Sequence, residues 1–141
     1  MHLSLELRKE NSVRVTYTLK EVEIKIINHY SELYNLSKSK FVSNSIEHGF
    51  KFMEEELEDF RKNDDENLYE NGKKYSSTLH MTFTLPKVVI DKLYYYSTKL
   101  KAKKSHLVGA SIYLIHEAMQ KDLDGSIEKL MKVPVVDDGY N

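Results

Sequence analysis

The chain has 141 residues, enough for one domain with a real core or two very small ones. It has no cysteine, which excludes disulfide scaffolds, thiolate zinc sites and cysteine nucleophiles together. The formal net charge of −1 is not that of a uniformly basic nucleic-acid binder, but the charge is segregated. Residues 54–71 carry nine acids against Arg61 and Lys62, whereas residues 80–121 carry seven lysines against Asp91 and Glu117. Residues 14–51 come to +2 by the same count. The start, MHLSLELRKE, lacks the basic and continuously apolar segments of a secretion signal, and apolar runs elsewhere are only a few residues long. A cytoplasmic chain that does not span a membrane is expected.

In chain order, residues 1–12 contain LSLEL, which alternates like a short strand or an arm. Val13, Val15, Tyr17 and Leu19 then alternate with Arg14, Thr16 and Thr18, which predicts a strand with one apolar and one polar face. The period changes next: Ile24, Ile27, Tyr30 and Leu33 are spaced for one face of a helix from about Lys20 to Tyr34. Asn35 suits the left-handed residue that ends such a helix, and Ser37 or Ser39 can cap the next one. Val42, Ile46, Phe50, Met53 and Leu57 form the apolar stripe of that second helix. Residues 59–78 read as an acidic linker. A second strand has Leu79, Met81, Phe83 and Leu85 alternating with His80, Thr82 and Thr84. A helix follows from Pro86, a favoured first helical residue, to Leu100, and another carries Val108, Ile112, Ile115, Met119 and Leu123. Residues 125–141 read as a short helix and tail, broken at Pro134.

The order strand, helix, helix thus occurs twice, and the two copies align without a gap at an offset of 66. Thr16, Thr18 and Leu19 fall on Thr82, Thr84 and Leu85; Lys38, Ser39 and Val42 fall on Lys104, Ser105 and Val108. The units span about 13–58 and 79–124. A lone strand can neither satisfy its backbone groups nor cover its apolar face, so each unit needs a partner. The linker is long enough for the two strands to pair antiparallel within the chain, and swapped pairing between two chains satisfies the same need. An α+β, mostly helical fold is expected.

The RVTYTL strand, the fifteen-residue helix and the turn NLSKSKFV resemble the ribbon-helix-helix family of DNA-binding transcriptional regulators, the Arc and MetJ type. The resemblance covers Arg14 to about Leu57 and again His80 to about Leu123. The match departs from the family pattern at Asn35, where Gly is common, and in the second turn, where Ala102 and Lys103 replace Leu36 and Ser37. The tandem form is similar to regulators from viruses of heat-loving archaea. The resemblance implies two units whose strands pair into a two-stranded antiparallel sheet, an intrachain pseudo-dimer, and a homodimer of such chains on double-stranded operator DNA in the host-cell cytoplasm.

By the same resemblance, Arg14, Thr16, Thr18, His80, Thr82 and Thr84 face the major groove and read bases. Ser37, Lys38, Ser39, Lys103, Lys104 and Ser105, at the starts of the second helices, hold backbone phosphates. Physical chemistry supports both roles: a two-stranded ribbon fits the major groove, Arg pairs bidentately with guanine, and a helix N-terminus offers free N–H groups to an anion. Each residue taken alone also has an ordinary explanation. Threonine is a good strand former, serine a good cap, and surface lysines are solvated. Arg14 opposite His80 is expected to make the DNA subsite asymmetric.

Two other functions compete: an antitoxin-like or protein-interaction module whose acidic segments recruit a protein partner, and a non-specific architectural DNA binder. The six histidines show no metal-ligand spacing, and phosphate-loop and nucleophile-elbow motifs are missing, so neither an enzyme nor a cofactor is expected.

Overall fold

The computed structural model describes residues 12–53 and 77–133. The LSLEL segment, most of the acidic linker, Leu57 and the tail from Pro134 lie outside the described residues, and with them their sequence expectations. The elements run β1 (Ser12–Lys20), α1 (Glu21–Leu33), α2 (Lys38–Met53), β2 (Thr78–Pro86), α3 (Lys87–Leu100), α4 (Lys104–Gln120) and α5 (Ser126–Lys132). The chain is α+β and mostly helical, with β1 and β2 forming a two-stranded antiparallel sheet. No described helix is long and apolar enough to cross a membrane.

Each strand passes directly into a helix because its last residue is extended and the next one opens the first turn. Lys20 and Pro86 occupy these junctions with ψ of 153° and 146°. Pro86 is therefore the last strand residue and the cap position, and α3 begins at Lys87, one residue later than expected. After Lys20, the Glu23 carboxylate accepts the Lys20 N–H at 2.8 Å, a side-chain closure of the α1 N-terminus. After α1 and α3 the chain turns through Asn35 and Lys101, both left-handed at φ 56° and 53°. In each turn a 6→1 hydrogen bond closes the helix, Leu36 N–H to the Ser31 carbonyl and Ala102 N–H to the Ser97 carbonyl.

The sheet lies with one face on the helices, and α2 packs along α4 at the centre. Contacts cross between the copies: α2 packs against β2, and α4 against β1. Tyr17, Leu19, Phe83 and Leu85 are buried beneath the sheet among Phe41, Val42, Ile46, Leu107, Val108 and Ile112. Val13 and Leu79, at the first turns of the alternation, remain exposed, so the core lies under the later part of each strand.

Two helical stripes differ from expectation. The buried face of α1 is Glu23, Ile26, Ile27, Tyr30 and Ser31, and Leu33 is 59% exposed. The face is rotated by about one position because Glu23 and Ile26 turn inward toward the second copy. Leu123 is fully exposed because α4 ends at Gln120 and the chain has already turned away. The apolar residues Phe41 and Leu107, in the first turns of α2 and α4, are fully buried and were absent from the expected stripes. The short α5 rests on α2 and α4 with Met131 buried. Asn44, itself buried, donates from Nδ2 to the carbonyls of Met131 and Val133 at 2.6 and 2.9 Å and so fastens the C-terminus of α5.

Candidate nucleic-acid interface

Alternation puts every second side chain of the ribbon on the side away from the helices. Arg14, Thr16 and Thr18 from β1 and His80, Thr82 and Thr84 from β2 are all exposed there and form one continuous polar face. Beneath it Tyr17 stays protonated, burial having raised its pKa to about 12.

The register decides how the six are arranged. Thr16 faces Thr82, Arg14 faces Thr84, and Thr18 faces His80. The expected juxtaposition of Arg14 with His80 is therefore wrong: residues at equivalent positions of antiparallel strands meet only at the centre of the ribbon, and these two lie at opposite ends. The central Thr16 and Thr82 hydroxyls share a hydrogen bond of 2.7 Å. At one end Thr18 Oγ1 lies 2.9 Å from His80 Nδ1. Arg14 stands at the other end.

The helix starts flank this face. Lys38, Lys103 and Lys104 are exposed, and Ser37 is an exposed cap whose Oγ accepts the Lys40 N–H at 3.0 Å. Its counterpart Lys103 provides no side-chain cap, so the two helix starts differ in how they are closed. Lys104 Nζ sits 5.1 Å from the centre of the exposed Tyr94 ring, which holds the ammonium near the surface.

Ser39 and Ser105 have a further role that the sequence reading missed. The Thr84 N–H donates to Ser39 Oγ at 2.9 Å, and the Thr18 N–H donates to Ser105 Oγ at 3.2 Å. Each helix start is thereby tied to the outer edge of the strand from the other copy. The signal was present in the retained Lys-Ser pair of the repeat, but a strand N–H contributed by the other copy cannot be seen from spacing. The arrangement places a polar face between two lysine-bearing helix starts and ties each start to a strand by a hydrogen bond from a strand N–H to a serine hydroxyl. Comparison with protein-family models, curated proteins and solved structures found no match.

Proposed function

We propose that the chain is a sequence-specific double-stranded DNA-binding transcriptional regulator, built as two ribbon-helix-helix units paired in one chain as a pseudo-dimer. The observation that carries this reading is the exposed face of Arg14, Thr16, Thr18, His80, Thr82 and Thr84 on a two-stranded ribbon whose other face packs on the helices through Tyr17, Leu19, Phe83 and Leu85. A ribbon of two strands spaced about 4.8 Å apart, with side chains, suits a major groove about 12 Å wide. Arginine, threonine and histidine supply the donors, acceptors and methyl groups that distinguish base edges there. The pseudo-dimer reading is supported by the repeat at an offset of 66 and by the matching ties from Ser39 to Thr84 and from Ser105 to Thr18.

In this reading the ribbon specifies and the helix starts position. Lys38, Lys103 and Lys104, with the N–H groups of the first turns, take the flanking phosphates. A dimer of chains would cover two such subsites. Selection of binding sites from a random duplex library by the purified protein tests the proposal. It should return a defined sequence bound roughly a thousandfold or more tighter than random duplex. Equal binding to both would leave only an architectural binder.

A further inference from the structure

We propose that the interface between the two copies of the repeat is keyed for unlike copies: the partner that each copy fits is the other one, and not a second copy of itself. The inference rests on the paired-unit reading but not on DNA binding. It comes from buried cross-copy contacts whose repeat equivalents have different chemistry.

The first is a steric key. Glu23 on α1 is only 7% exposed, and its carboxylate fills the space that a side chain at Gly109 on α4 would occupy. The repeat equivalents of Glu23 and Gly109 are Val89 and Ser43, both buried. Two first copies would drive Glu23 against Ser43; two second copies would set Val89 against Gly109 and leave a gap. Either mismatch is unfavourable in a close-packed interior.

Polar contacts follow the same rule. Lys92 on α3 reaches Glu47 on α2 at 2.7 Å with both side chains largely buried, whereas the equivalents are Ile26 and Tyr113. The Tyr30 hydroxyl lies 2.9 Å from His116 Nδ1, while the equivalent pair is Tyr96 and Phe50, packed edge to face at 4.7 Å between ring centres. Asn44 fastens the α5 carbonyls, and its equivalent is Ala110. In a pair of first copies Glu47 would face Ile26 and Tyr30 would face Phe50. In a pair of second copies Lys92 would face Tyr113, and the α5 carbonyls would face Ala110. Each loss removes a hydrogen-bond partner from a buried or partly buried polar group.

The intact chain permits a direct test, because single substitutions recreate the like-copy contacts. Gly109→Ser sets Glu23 against serine, as two first copies would. Glu23→Val sets valine against Gly109, as two second copies would. The double variant recreates the combination already present at Val89 and Ser43. Thermal unfolding without DNA should show Gly109→Ser lowering the midpoint by roughly 5–10 °C, with most of the loss recovered in the double variant. If Gly109→Ser does not fold, a folded double variant carries the same meaning, and an unfolded one overturns the proposal. A second cycle of Lys92→Ile with Glu47→Tyr should couple in the same sense. Additive effects in both cycles would show that the copies are interchangeable and refute the key, whatever the DNA measurements give.

Discussion

Replacing Ser39 and Ser105 by alanine separates two roles that the same residues could play. Each Oγ accepts one strand N–H, at 2.9 Å from Thr84 and 3.2 Å from Thr18. A neutral hydrogen bond contributes about 0.5–1.5 kcal/mol net, and these are at an exposed edge where water can replace the serine, so about 0.5–1 kcal/mol each is expected. The shorter Ser39 bond should be the larger loss. The ties sit at opposite ends of the ribbon and should add, giving about 1–2 kcal/mol and a midpoint lower by roughly 3–6 °C. On DNA, a ribbon no longer held against its helix starts must be ordered on binding. That should weaken the selected duplex roughly three- to tenfold. The unfolding midpoint without DNA decides the role, and the salt dependence separates the serines from the lysines. Ties lost within the protein change no phosphate contact, so the slope of log K against log salt should stay constant, whereas each lysine lost at Lys38 or Lys104 should reduce it by about 0.9. Fluorescence anisotropy over a salt series measures both. A lower slope for the serine variants, or an unchanged unfolding midpoint, would refute the assignment of these hydroxyls to the ribbon.

Lys101 adopts the left-handed conformation at φ 53°, ψ 45° with a full side chain. Lys101→Gly should stabilise the chain by about 1 kcal/mol in urea unfolding, and Asn35→Gly by less because asparagine tolerates this region; a loss of stability at Lys101 would contradict that account. Burial raises the Glu23 pKa above its ordinary 4.5, against the opposing Lys20 N–H and Lys20 charge. A raised carboxyl contributes stability that is full below its unfolded value and lost as pH rises through the folded one. The stability of the natural chain relative to Glu23→Gln should therefore fall from about pH 4 toward neutrality, and a constant difference across that range would rule the burial effect out. His80→Arg places arginine at both ends of the ribbon, so site selection should turn an asymmetric subsite into one with matching ends; unchanged asymmetry would sink the idea that Arg14 and His80 set it.

Much of this architecture was legible because it depends on period and repetition. The two alternating strands, the left-handed Asn35 and the two-helix units follow from patterns local to the chain. The repeat also contained the register in principle, since equivalent residues of antiparallel strands coincide only at a centre, here Thr16 and Thr82. Placing Arg14 opposite His80 overlooked that constraint. What local patterns did not reveal was chemistry shared between copies. Gly109, a glycine within a helix, fits close helix approach and plain tolerance equally well until the Glu23 carboxylate is found in the space its side chain would fill. Leu33 misled for the related reason that the inward face of α1 is set by what the second copy offers. The six outward residues of the ribbon were visible as an alternating polar set, but the Thr18–His80 bond and the serine ties appear only when the ribbon is closed.

The division between reading and positioning is tested most directly by comparing Thr16→Ala/Thr82→Ala with Lys38→Ala/Lys104→Ala on the selected and random duplexes at fixed salt. The threonine pair should reduce the preference for the selected sequence roughly tenfold or more while leaving random DNA binding nearly unchanged. The lysine pair should weaken both duplexes alike and keep the preference. Equal effects of the two pairs on both duplexes would contradict the ribbon as the reader of sequence.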